Sequence, residues 1–149
     1  MTAAAPRQVS PHDRRLAAQL AQRARQALGQ KQLDYAIELL MECCALDPGN
    51  VVARKTLRQT QRAKFGSPSQ VGAASWLVNF FRRLRLRQAQ ISGHPTVVLT
   101  RGEALLCRQP WDVATQVTMG RAADELGLSE VAVMILELAR AANPREPRV

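Results

Sequence analysis

An all-α fold of antiparallel helical hairpins, about seven helices in number, is what this 149-residue sequence predicts. Three observations carry the expectation. Residues 35–50 read as a short amphipathic helix with a fixed ending: Ile37, Leu40, Met41 and Cys44 fall at helical spacing on one face. Asp47-Pro48-Gly49-Asn50 then stops it, because Pro lacks the N–H a helix needs and Gly permits the turn. The same unit returns near the C-terminus, where Gly127 breaks the chain; Ala36 precedes Pro48 by twelve positions, as Ala132 precedes Pro144. Aromatic residues make up only 4% of the chain while Ala and Leu abound, which favours closely packed helices over a sheet.

In order, residues 1–10 read as a disordered leader, since Met1-Thr-Ala-Ala-Ala-Pro has no apolar core for a secretory signal. Residues 11–28 form the first helix, with Ser10 as N-cap and Pro11 in the first turn. Leu16, Leu20, Ala24, Ala27 and Leu28 make its narrow apolar stripe. Gly29 ends it, and residues 33–46 are the second helix. The third runs from about Val51 to Phe65, with Arg54, Arg58 and Arg62 stepping by four along one face. We read it as a cap over the first hairpin, so that 11–65 make one unit.

Gly66-Ser-Pro-Ser-Gln-Val-Gly72 has the composition of a linker, placed at 66–74, and residues 75–146 form the C-terminal helical repeats. The fourth helix covers about Ala74 to Ile91. Leu77, Phe80, Phe81, Leu84 and Ile91 share a face that reads as the inner side of a repeat helix, ringed by Arg82, Arg83, Arg85 and Arg87. Helix five spans about Thr96 to Arg108, helix six Val113 to Leu126 and helix seven Ser129 to Ala142. Val97-Val98-Leu99 is too short, and too lacking in a partner, to be a strand.

Charge is unevenly spread. Residues 51–92 hold nine Lys/Arg and no Asp/Glu, while the flanking stretches nearly balance, so the middle accounts for the formal net charge of +9. A basic surface of Arg54, Arg58, Arg82, Arg83, Arg85 and Arg87 is expected there. No segment reaches the roughly 18 uninterrupted apolar residues that span a bilayer. The three cysteines lack metal spacing and read as buried thiols in a reducing cytoplasm. His12 and His94 each adjoin a proline and read as turn or cap residues. Asp124 and Glu125 are adjacent and point apart on a helix, so they make no paired-carboxylate site. With no phosphate-cradling loop and no nucleophile–base constellation, a non-catalytic chain without metal or cofactor is expected.

The repeated units resemble the tetratricopeptide repeat, whose period is about 34 residues; Pro110 and Pro144 lie 34 positions apart. In residues 113–146, Gly120 and Gly127, Ala132 and Ala139, Leu136 and Pro144 stand where that pattern has its small, turn, large and closing residues. Residues 17–50 agree at Ala24, Ala36, Ile37, Leu46, Asp47, Pro48 and Asn50, with Cys43 in place of an alanine. The resemblance implies a short α-solenoid and a concave groove lined by Arg25 and Leu28, then Lys55, Gln59 and Arg62, then Val117, Arg121 and Asp124. Ala21 with Arg25, and Lys55 with Gln59, depart from the family's carboxylate clamp, so a chaperone-tail clamp is not expected.

The implied role is an adaptor or scaffold for a protein or peptide partner, including an acidic one drawn by complementary charge. Self-association through an uncapped C-terminal repeat belongs to the same reading. The alternative is a basic helical module that binds an anionic membrane surface or nucleic acid through residues 51–92. In that case Trp76, Leu77, Phe80, Phe81 and Leu84 beside the arginines would serve as an interfacial helix.

Overall fold

The computed structural model describes residues 9–66 and 74–142, the side chains of 74–77 and 79 excepted. The described residues form helices and no strand: α1 (Pro11–Gly29), α2 (Leu33–Leu46), α3 (Val51–Phe65), α4 (Ala74–Ile91), α5 (Pro95–Leu106), α6 (Val113–Glu125) and α7 (Ser129–Ala142). Most of the expected leader and linker, residues 143–146 with Pro144, and the side chains of Trp76 and Leu77 lie outside the described residues.

Local chemistry sets the ends. The Ser10 hydroxyl accepts from the Asp13 N–H at 3.0 Å, with Pro11 at the first helical position, where its missing N–H leaves nothing unpaired. Asn50 caps α3 in the same way, accepting from the Ala53 N–H at 3.0 Å. Gly127 closes α6 at φ +72°, a left-handed conformation that costs a residue with Cβ. Val97, Val98 and Leu99 lie inside α5.

Within α1–α3, and again within α4–α7, each helix packs on its sequence neighbour. The contacts are made where side chains are small. Ala24, Ala36 and Ala139 are fully buried, and Ala132 is 5% exposed. Cys43 is also fully buried, its thiol donating to the Ala17 carbonyl at 3.3 Å across the α1–α2 contact. A Cβ built on Gly120 would sit 2.7 Å from Leu136 Cδ2, so α6 and α7 can approach this closely only because Gly120 has no side chain.

α3 is the helix expected to cap the first hairpin. α3 packs on α2, touches α7, and bonds to α5. Leu57 is fully buried, and Arg54, Arg58, Thr60 and Gln61 are buried beside it. Two apolar clusters result, one from α1–α3 and one from α4–α7. Val51 of α3 packs against the second, and Cys107, just after α5, against the first.

Candidate functional site

The three-arginine face of α3 turns inward. Arg54 and Arg58 are each 2% exposed, so neither belongs to the expected basic surface. Glu103 of α5 holds both: Oε1 accepts from Arg54 Nη1 at 2.6 Å and Oε2 from Arg58 Nη2 at 3.0 Å. Arg54 Nη2 also donates to the Pro48 carbonyl at 3.1 Å, and Arg58 Nη1 to the Gln61 side-chain oxygen. Gln61 in turn donates to Cys107 Sγ at 3.2 Å, and that thiol lies 2.9 Å from Met41 Sδ. One carboxylate thus serves two buried cations, which is why the α3 arginines can leave water. Arg62, expected in a groove, is half-buried with its guanidinium 4.3 Å above the Trp111 ring. Trp111 Nε1 donates to the Gly66 carbonyl at 3.0 Å, which ties the end of α3 to the α5–α6 turn. Burial, then the neighbouring Arg58 charge, lowers the Arg62 pKa.

Sequence reasoning missed Glu103. Its signal was available: a single acid within the apolar run of α5, in a chain whose preceding 42 residues to Ser92 carry no acid at all. The cysteines are structural in character. Burial pushes the Cys44 thiol up to about 12 and raises Cys43 and Cys107 as well, so none is an activated thiolate. Among the described residues, no group of three His, Cys, Asp or Glu side chains is placed to hold a metal ion.

An open cleft of about 420 Å³ lies between the end of α4, the start of α5 and α6. Arg87 and Ile91 come from α4, His94, Pro95 and Val98 from the α5 start, and Arg121, Ala122 and Glu125 from α6. Two arginines predicted for different surfaces, Arg87 and Arg121, therefore line one cleft with Pro95, Val98 and Ala122. His94 occupies the N-cap position of α5 without a capping side-chain bond. Asp124 is exposed and Val117 half-buried on α6, and neither lines this cleft. Arg25, Lys55 and Gln59 are exposed and Leu28 half-buried, on α1 and α3 and away from it.

The outer face of α4 is the second surface. It was expected to be the inner side of a repeat helix, and the structure reverses it. Leu86 and Ala89 are the buried residues, while Phe80, Phe81, Leu84 and Ile91 are 50%, 56%, 54% and 80% exposed. The packing on α5 uses the slim side of the helix, and Arg82 reaches over to the Ala104 carbonyl at 3.5 Å. Arg83 pairs with Asp112 at 3.1 Å, while Arg85 and Arg87 are exposed. No helix among the described residues is long and apolar enough to cross a membrane. No family model, no curated protein and no solved structure matches this chain.

Proposed function

We propose that the chain is a non-catalytic helical adaptor that receives an acidic peptide segment of a partner protein in the cleft between α4, α5 and α6. The observation that carries this reading is that Arg87 and Arg121 line one cleft together with the apolar Pro95, Val98 and Ala122. Carboxylates of a bound segment would pair with the two guanidinium groups, while an apolar side chain would displace water from the apolar lining. Glu125 on the rim disfavours a partner with misplaced acids, which gives the cleft a register. The tetratricopeptide-like spacing is compatible with a scaffold role of this kind. The free, unactivated thiols, buried at Cys43 and Cys44 and half-buried at Cys107, support a reducing compartment, the cytoplasm in this reading.

A fluorescein-labelled peptide of mixed Glu, Asp and Leu, titrated by fluorescence polarisation, tests the proposal. Arg121→Glu should weaken binding by about tenfold or more, because it removes an attraction and adds a repulsion. Equal binding of wild type and variant would overturn the assignment.

A further inference from the structure

We infer that the outer face of α4 is a docking surface for an anionic lipid bilayer, adjoining the peptide cleft at Arg87 and Ile91. α4 is 18 residues long, and its packed side is defined by Leu86 and Ala89. At about 100° per residue, Phe80, Leu84 and Ile91 fall within roughly 40° of one another on the opposite side. Phe81 stands beside them, its ring edge-on to Phe80 with centroids 5.7 Å apart. The stripe leaves large apolar side chains in water, Ile91 being 80% exposed and Phe81 and Leu84 more than half.

Charge names the occupant. Arg83 and Arg87 flank the stripe on one side and Arg85 on the other, and α4 contains no Asp or Glu. Among the described residues, Arg85 and Arg87 are in no ion pair. An apolar ridge with unpaired cations on both flanks, Arg87 on one and Arg85 on the other, matches the layering of a bilayer surface. The rings and aliphatic tips reach the acyl boundary, while the guanidinium groups stay level with the headgroup phosphates and pair with them. The arginines lie along the same helix as the apolar side chains, so one flat layered surface meets both at once, the apolar stripe facing its acyl boundary and the cations its headgroups. From Phe80 to Ile91 the ridge runs about 16 Å at 1.5 Å per residue, enough to lie along the headgroup plane without insertion as a span.

Vesicle co-sedimentation tests this with the full chain, comparing phosphatidylcholine vesicles with vesicles holding about a third phosphatidylserine, at low and high salt. Wild type should partition at least tenfold more strongly onto the anionic vesicles, with the preference falling as salt rises. Arg85→Glu should reduce partitioning roughly 25-fold, about fivefold for each unit of charge changed near the surface. The pair F81D/L84D should abolish it at unchanged helix content, since both positions face solvent. Arg121→Glu should leave vesicle binding intact, which separates this surface from the cleft; Arg87 and Ile91 border both and are left unchanged. Equal partitioning onto both vesicle types, or binding that survives F81D/L84D, would overturn the proposal. A wild-type dimer that F81D/L84D converts to monomer would overturn it in favour of a second copy of the chain. Tight binding to a 20-nucleotide single strand, undiminished by F81D/L84D, would overturn it in favour of nucleic acid.

Discussion

Glu103→Gln removes the one negative charge that two buried cations share. Both oxygens are in use, at 2.6 Å from Arg54 and 3.0 Å from Arg58, and the arginine side chains are 2–3% exposed. The amide keeps the shape of the carboxylate, so the change is mainly one of charge. Breaking a buried pair from one side costs about 3–5 kcal/mol, because the remaining cation is neither paired nor hydrated. Two cations are left here, which puts the expectation at the upper part of that range. For a domain of this size each kcal/mol moves Tm by about 2–4 °C, so the midpoint should fall by roughly 8–20 °C. Against a typical total of about 5–15 kcal/mol, a loss of this size removes much of the margin. The triple change R54M/R58L/E103L should then recover most of the loss, since apolar side chains of similar volume remove the desolvation cost altogether. It also removes Arg54 Nε, a buried donor with no protein partner. Thermal and urea melts followed by circular dichroism measure both. A drop below about 3 °C for Glu103→Gln, or a triple variant no better than the single one, would refute the view that the cluster is held by charge compensation.

Two further outcomes follow from close contacts and from burial. Gly120→Val should destabilise by about 1–3 kcal/mol through collision with Leu136, and adding Leu136→Ala should make the pair markedly less than additive; additivity within 0.5 kcal/mol in urea melts would show that the two positions do not touch. Cys44, with its pKa pushed up to about 12 by burial, keeps its proton in the folded chain where the unfolded thiol ionises near its ordinary value of 9.0. Its contribution is therefore full below pH 9 and lost as pH rises towards 12. Cys44→Ala should flatten that part of the stability profile, and an unchanged alkaline slope would contradict it.

The helices were legible because their signals are local. Ser10-Pro11, Asp47-Pro48-Gly49-Asn50 and Gly127 act within a turn of where they stand, and no distant residue can reverse them. The burial of Ala36 and Ala132 was legible for the same reason, as small residues recurring at one interval. The orientation of α4 was not. Its bulkiest apolar residues, Phe80, Phe81 and Leu84, form a plausible core stripe, and burial alone would choose them. α5 instead meets Leu86 and Ala89, where a small side chain lets the two backbones draw near. Which of two stripes turns inward depends on the shape of the neighbour, and a sequence pattern read one helix at a time does not contain that shape.

The basic stretch shows a different limit. A run without carboxylates can mean cations held for an external anion, or cations whose counter-charge arrives from another part of the chain. Here both occur within one run. Arg54 and Arg58 find their carboxylate in Glu103, 49 and 45 positions away, and Arg62 settles over Trp111. Lys64 pairs with Asp34 and Arg83 with Asp112. Each of these interactions lowers the charge available to a partner, and each acts on the fold by tying α3 or α4 to another helix or turn. Lys55 remains exposed on α3, and Arg85 and Arg87 on α4, the last two next to the apolar ridge and the cleft. The charge relevant to recognition is therefore the part the fold leaves uncompensated, and within this run two of those cations lie on the helix whose apolar side also faces out.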